Sequence, residues 1–477
     1  MCMFKIISTL LFCVYSAAVS QTKKPNVLLI IVDDLRDSLG CYGKKEIHSP
    51  AIDLLAEKGT LFTRAYCQFA LCGPSRASFF TASYPQTIKV FNNRGYFRDH
   101  KPKAITIPSH FKENGYITQG IGKILHDTKA DTKSWTHERL FEKKYVYAGK
   151  EFIDKVAGID GIHKSNNLLP LVEGPDVPDN AYRDGMATED ALRSLKKFKD
   201  SNKPFFLMVG YHKPHSPFNA PKKYWDLYDR QKLQLAKYQK TPTGTSEKVM
   251  NQSRYLRSFK DMPKEGPWPE DKQRLVMHAY HACISYIDAQ VAKLLNELKA
   301  QGLDKNTIVA LTSDHGYQLG EHGLWCKHTN FEGATKVPLI IFDPRLKPEH
   351  QGRKVDNIVE LIDLAPTLWD LSGLAKAAEV DGKSFKKLLT ENSKEFTIAR
   401  SRYHRAGTHG FSIRVKNFRY TRWIHPKTKK TVYEELYDYK NDPLETRNFV
   451  ENPEYSKVLQ KLKKLWNSEI TKNDTIP

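Results

Sequence analysis

Cysteine is scarce in this sequence, with seven residues among 477. None of their spacings matches the paired patterns of a structural zinc site. Long apolar runs are scarcer still. Past the extreme N-terminus, no stretch approaches the roughly twenty apolar residues that cross a bilayer. Internal repeats and low-complexity tracts are absent, which excludes a repeat architecture. No helix-turn-helix, finger or aromatic-basic RNA motif is present, so nothing marks a nucleic-acid binder. What remains is ordinary globular composition, 40% hydrophobic and 27% charged. The length suffices for one large α/β domain and a smaller one.

The first twenty residues differ from the rest. Lys5 is their only charge, positions 6–15 are largely apolar, and Ala18-Val19-Ser20 offers small residues where a signal peptidase reads. This predicts a secretory signal over 1–20, cut after Ser20. Phe12 is bulky where a lipoprotein signal before Cys13 wants a small residue. The mature chain is therefore expected in the periplasm or outside the cell, with no membrane span. Processing leaves Cys41, Cys67, Cys72, Cys283 and Cys326, an odd number that asks for an explanation. If chemistry consumes Cys72, the other four can form two disulfides, one or none. The net charge is +21. Such an excess is either a solvated surface or the mark of an anionic partner, and anionic polysaccharide suits an exported protein better than nucleic acid.

The continuous apolar run 26–32 reads as a strand buried on both faces. Further strands are expected at 119–122, 204–211, 307–312 and 338–342. Helical periodicity lies between them at 52–57, 75–83, 107–114, 187–198, 275–301 and 361–371. This alternation predicts an α/β fold, a mostly parallel sheet sandwiched by helices, over 21–398. The polar, Pro- and Gly-containing stretch 241–272 reads as a long excursion across the active-site face. From about Ala399 the texture becomes short, aromatic and β-branched, at 411–415, 418–423 and 431–437, followed by a helical pattern over 453–470. Residues 399–477 are thus expected to form a smaller antiparallel sheet with one closing helix.

Chemistry-bearing residues sit at the predicted strand ends, where open α/β sheets bind ligands. Asp33-Asp34 follows the first strand, and two adjacent carboxylates there call for a hard cation between them. Asp314 and His315 end another strand in the same way. Lys123 and His126 follow a third apolar run, and His212, Lys213 and His215 a fourth. Lys327 lies just past His322-Gly323-Leu324-Trp325. Cys72 precedes a helix, where Pro74 suits the first turn, the dipole favours negative charge, and Arg76 adds a fixed cation. Taken singly, the strand-end Asp, Lys and His residues are as readily structural or solvated, whereas the run 72–76 is not. Together they supply the positive charge that a doubly charged oxyanion transition state needs.

Residues 72–76 (CGPSR), continued by ASFFTA, resemble the C-x-P-S-R signature of the type I sulfatases of the alkaline-phosphatase superfamily. The chain is similar to that family from about Asn26 to the C-terminal helix. Within the family it most resembles the iduronate-2-sulfatase branch. The matching stretches are 26–36 (NVLLIIVDDLR), 210–215 (GYHKPH), 314–316 (DHG), 411–414 (FSIR) and Tyr420-Thr421. Most sulfatases carry Asn where this chain has His315. The resemblance implies that Cys72 is converted to formylglycine by a maturation enzyme, which accounts for the odd cysteine. It implies that Asp33, Asp34, Asp314, His315 and residue 72 bind one divalent ion, Ca2+. Arg76 and His126 would hold the hydrated aldehyde, and Lys123, His215 and Lys327 would grip sulfate, with His215 as acid for the leaving alcohol. The implied activity is hydrolysis of a sulfate ester on a carbohydrate, a polysaccharide or its oligosaccharides, and a 2-O-sulfated uronic acid in particular. Two alternatives stay open: a phosphodiester or phosphonate monoester hydrolase, and an inactive binder of anionic glycans. The stretch 90–100 departs from the iduronate pattern, and its Asn92, Asn93, Arg94 and Arg98 are candidates for a sugar pocket.

Overall fold

The apolar run 26–32 forms strand β1 (Asn26–Val32), buried along its whole length. Its side chains alternate between two cores: Leu28, Ile30 and Val32 enter one, Val27, Leu29 and Ile31 the other. A strand apolar at every position needs cover on both faces, and β1 has it. The structure is a computed structural model that describes residues 24–126, 131–142, 146–156, 166–250, 253–393, 398–405 and 407–470. The expected signal segment lies outside the described residues.

Beside β1 the chain forms β2 (Thr60–Tyr66), β3 (Ile117–Gly122), β4 (Val172–Glu173), β5 (Phe205–Tyr211), β6 (Phe218–Asn219), β7 (Thr307–Ser313), β8 (Lys336–Phe342) and β9 (Arg353–Glu360). With β1, six of these make one seven-stranded sheet in the order β3-β5-β1-β7-β8-β2-β9. Only β8 runs antiparallel to its neighbours, β7 and β2. The short β4 and β6 pair separately. Helices α1 (Pro50–Lys58), α4 (Arg183–Lys199) and α5 (Glu270–Ala300) fill the first core. Helices α2 (Cys72–Phe80), α3 (Ile107–Glu113) and α6 (Leu364–Leu371) fill the second. The α/β sandwich read from the sequence is the observed one. Strands β2 and β9 were not expected. The half-buried Thr63 and Arg64 break the apolar run of β2, and exposed positions alternate through the first half of β9.

The C-terminal part forms a four-stranded antiparallel sheet, β10 (Ile398–Arg405), β11 (Thr408–Val415), β12 (Phe418–Ile424) and β13 (Thr431–Asp438), in sequential order. Helix α7 (Ser456–Ile470) closes it through Leu462, Trp466 and Ile470, spaced by four to keep one face. Polar bonds join this unit to the large sheet. Glu332 accepts from Arg414 at 3.0 Å and Arg419 at 2.7 Å, and Arg400 pairs with Glu360 at 2.9 Å. The disulfide question left open by the sequence resolves to none: Cys41, Cys67, Cys72, Cys283 and Cys326 are all free.

Candidate active site

The β1–β7 register sets Val32 opposite Ser313, so the residues just past each strand, Asp33-Asp34 and Asp314-His315, become neighbours. The Asp33 N–H donates to the Tyr211 carbonyl at 3.1 Å. Asp34 then turns into the left-handed region, φ +61°, at a cost of about 1 kcal/mol for a residue with a Cβ. Tertiary bonds hold it there. Its N–H donates to Asp314 Oδ1 at 3.2 Å, and its carbonyl accepts from the Tyr280 hydroxyl.

Lys123 follows β3, and His212 to His215 follow β5. These two strand ends approach closely enough that a Cβ on Gly210 would overlap the Lys123 carbonyl. Gly122, at φ +71°, would likewise meet the Gly210 carbonyl, so only glycine suits either position. Asp184 fastens the β5 loop, accepting from the N–H groups of His212 at 2.8 Å and Lys213 at 2.9 Å. Lys213 itself donates to the carbonyls of His215 and Pro217 and braces the loop from within.

Helix α2 begins at Cys72, three residues earlier than the sequence pattern placed it, with Leu71 as an extended N-cap. The Ser75 hydroxyl donates to the Asp314 carbonyl. Arg76 Nε donates to Asp314 Oδ2 at 2.9 Å, and its Nη1 donates to the carbonyls of Lys123 and Ile124 at 2.6 and 3.0 Å. One buried guanidinium thus ties the helix start to two strand ends.

Cys72 Sγ lies at the centre of this arrangement, 3.2 Å from His315 Nε2, 3.3 Å from Lys327 Nζ and 3.5 Å from Asp33 Oδ1. Lys123 pairs with Asp33, and Lys327 with Asp34 Oδ1 at 2.7 Å. His315 Nδ1 donates to the Gly316 carbonyl at 3.0 Å. In the neutral ring that leaves a lone pair on Nε2, which faces Asp34 Oδ1 at 3.5 Å and Asp314 Oδ2 at 3.6 Å. Asp34 Oδ2 is buried with no hydrogen-bond partner among the described residues. Buried acceptors turned toward acceptors call for a cation. Ligand atoms of Asp33, Cys72, Asp314 and His315 lie within 4.8 Å of one another, as do those of Asp34, Cys72 and His215. Carboxylate oxygens with one imidazole suit a hard divalent ion, so this cluster is a candidate metal site.

The electrostatics follow from burial and these partners. Burial raises the Asp33 carboxyl, but Lys123, His215, Arg76 and Lys327 outweigh it and hold it well below the usual range. Asp34 is pushed up by burial, with Lys327 pulling back and Asp33 adding to the rise. Burial and then Asp33 drive the Cys72 thiol well above its ordinary value. The unmodified thiol is thus protonated and a poor nucleophile. Burial and Lys327 drive His215 well below its ordinary value. Its Nδ1 donates to the Ser216 carbonyl at 2.6 Å.

A cavity of about 620 Å³ opens onto the cluster, and Cys72, Lys123, His126, His215 and Lys327 all line it. Of the four candidate sugar contacts, only Asn93 is in the wall, where its side-chain oxygen also accepts from the Gly73 N–H at 2.9 Å. Asn92 and Arg94 are exposed outside the wall. Arg98 is drawn off by an ion pair with buried Asp131. Arg183, Arg254, Tyr255 and His328 line the cavity without having been singled out. Arg254 and Tyr255 come from the stretch 241–272, so its place over the site was legible although its contacting residues were not. A second cavity, about 610 Å³, runs along β13 and contains none of these residues.

A mostly parallel sheet thus brings a helix start at Cys72 together with an acidic cluster at its strand ends, an arrangement that can serve hydrolysis of an anionic ester. A family model described as Sulfatase matches residues 25–374, and one described as N-sulphoglucosamine sulphohydrolase, C-terminal, matches 320–472. Human iduronate 2-sulfatase is 36% identical over 521 aligned residues, covering 93% of this chain and 94% of that protein. The chain belongs to the sulfatase family, and it is a sulfuric ester hydrolase. Among solved structures, a 2-O GAG sulfatase is 25% identical with a TM-score of 0.71, covering 94% of this chain and 93% of its own. A phosphonate monoester hydrolase from Silicibacter pomeroyi reaches a TM-score of 0.75 at 21% identity, covering 94% and 96%, a likeness of the alkaline-phosphatase-like fold alone. No helix among the described residues is long and apolar enough to cross a membrane.

Proposed function

We propose that this sulfatase is exported after loss of residues 1–20 and removes the 2-O-sulfate of a uronic acid in a sulfated polysaccharide or its oligosaccharides. In this reading 21–398 carries the catalysis and 399–477 closes it. The observation that carries the reading is residue 72 itself: buried at a helix start, within 3.5 Å of Asp33, His315 and Lys327, and open to the cavity. The identity of the carbohydrate rests on likeness to iduronate 2-sulfatase and the 2-O GAG sulfatase.

Conversion of Cys72 by a maturation enzyme would give formylglycine, whose hydrate supplies an oxygen nucleophile regenerated without water attacking sulfur. Asp33, Asp34, Asp314 and His315 would hold a divalent ion, Ca2+ by its oxygen-rich donor set, which supplies Lewis acidity toward that oxygen and the sulfate. Arg76 works through Asp314 and the Lys123 backbone and fixes where both stand. Lys123 and Lys327 offer ammonium groups to the sulfate oxygens. His126, in the cavity wall, is the base for the second hydroxyl. For the leaving alcohol, His215 would have to gain a proton on Nε2 against the downward pull of burial and Lys327, a gain that the negative charge of bound sulfate favours.

The test is a panel of defined sulfated oligosaccharides, with protein produced beside a maturation enzyme and the residue-72 peptide weighed in the same run. Release of sulfate from 2-O-sulfated uronates ahead of N- or 6-O-sulfated glucosamine is expected. The reverse order, or faster cleavage of phosphate esters, overturns the reading.

A further inference from the structure

Arg183 opens helix α4 and lines the same cavity as Cys72. Its Nε is buried with no hydrogen-bond partner among the described residues. No carboxylate among those residues is bonded to its guanidinium. The acid next to it, Asp184, is committed to the N–H groups of His212 and Lys213. Burial pulls the guanidinium down to about 10, and Asp184 and Asp33 act on it only through space. The other lining cations Lys123 and Lys327 differ, since each already faces a carboxylate. Glu142 also acts on Arg183 only through space, so its half-buried guanidinium has no carboxylate among the described residues bonded to it, and such a cation is costly unless a ligand supplies a counter-charge.

We infer that Arg183 is the subsite for the substrate's carboxylate, a second anion position in the cavity distinct from the sulfate position at residue 72. The inference rests on the reading of the substrate as a sulfated uronic acid. A uronate carries sulfate and carboxylate on one ring, and a cavity of about 620 Å³ is the size of a small-ligand site. The planar guanidinium fork matches a carboxylate through two parallel hydrogen bonds. Leu125, Phe141 and Val146 also line the wall and offer apolar surface to the C–H face of a ring. The placement also explains why nothing in the sequence pointed to it. Arg183 belongs to no motif, and its role comes from where α4 starts.

The experiment compares 2-O-sulfated iduronate with its carboxyl-reduced counterpart on the full-length enzyme. Wild type should prefer the acid. R183Q should lose about 10- to 100-fold in kcat/KM on the acid, the range of a charged hydrogen-bonded contact, and less than about threefold on the reduced sugar, by the same scale. R183K should recover part of the loss. Equal losses on both sugars, or none on the acid, overturn the assignment, as does a wild-type preference for a second sulfate over the carboxylate. If wild type cleaves 4-nitrophenyl sulfate but neither sugar, the substrate reading has failed separately. Competition by free glucuronate against glucose then decides the subsite. Stronger inhibition by glucuronate that is lost in R183Q supports it, and equal inhibition overturns it.

Discussion

At Asp34 three departures from the ordinary coincide: a left-handed backbone, a carboxyl pushed up by burial, and an Oδ2 with no partner among the described residues. Around it, three carboxylates (Asp33, Asp34, Asp314) meet three cations (Arg76, Lys123, Lys327). A divalent ion would leave the cluster with a surplus of positive charge facing the sulfate. A ligand that binds only the folded chain stabilises it by about 2.7 kcal/mol at a hundredfold excess over Kd. Chelation should therefore lower Tm by several degrees and abolish sulfate release, with Ca2+ restoring both. Identical calorimetric traces with chelator and with excess Ca2+ would remove the ion from this site. Asp33, Asp34, Cys72, Asp314 and His315 were legible in the sequence because each directly follows a strand or opens a helix within a recognisable run. Arg183 and Tyr255 were not, because each stands in the first turn of a helix, α4 and the short one over Arg254–Arg257, and their neighbours in sequence say nothing of the cavity. Arg98 misled for a related reason: Asp131, its partner, lies 33 positions away.

Elements are held to the site by two devices that composition conceals. The first is the close approach of the paired strands β3 and β5 at Gly122 and Gly210. Gly210→Ala would force its Cβ against the Lys123 carbonyl. Backbone cannot yield there without moving Lys123, so a loss of about 2–3 kcal/mol is expected, in the range of overpacking. Chemical denaturation reads this loss, and kcat should fall with it; a variant as stable and active as wild type would show that the two strands can part. The second device is Glu332, which joins the C-terminal sheet to the large one. Burial alone would raise its carboxyl, but Arg414, Arg419 and Lys336 outweigh it and hold it well below its ordinary value. A depressed carboxyl contributes stability that is complete above its unfolded pKa and is lost as pH falls through the folded one. Wild type should accordingly lose stability below about pH 4.5, the unfolded carboxyl range. Glu332→Gln should cost about 2–4 kcal/mol near neutrality by stranding two arginines and should flatten the acid limb of Tm against pH. An unchanged acid limb would place the acid sensitivity elsewhere. The main strands were readable because both faces are covered and their apolar runs are continuous. β2, β9 and β10 were not, because half-buried positions interrupt the pattern that sequence can display.

Charge is the property of the whole molecule that no single element explains. The chain carries +21, and removal of the expected signal takes away only Lys5, leaving +20. The buried cluster contributes none of this, since its three carboxylates balance its three cations. The excess therefore lies outside the cluster, where mobile ions reach exposed groups and screen them within about 8 Å at physiological salt. A field of that kind steers polyanions toward the protein and raises their encounter rate, and salt weakens it. A small aryl sulfate bears one charge and samples the field little; a sulfated oligosaccharide bears many. Raising NaCl from about 20 to 500 mM should thus lower kcat/KM several-fold more for an oligosaccharide than for 4-nitrophenyl sulfate. Most of the change should appear in KM, because the chemistry proceeds at a buried centre that salt barely screens. Stopped assays at four or five ionic strengths give both slopes. Parallel slopes for the two substrates would mean that the basic excess only solvates the surface, and that recognition of the polymer rests on the cavity alone.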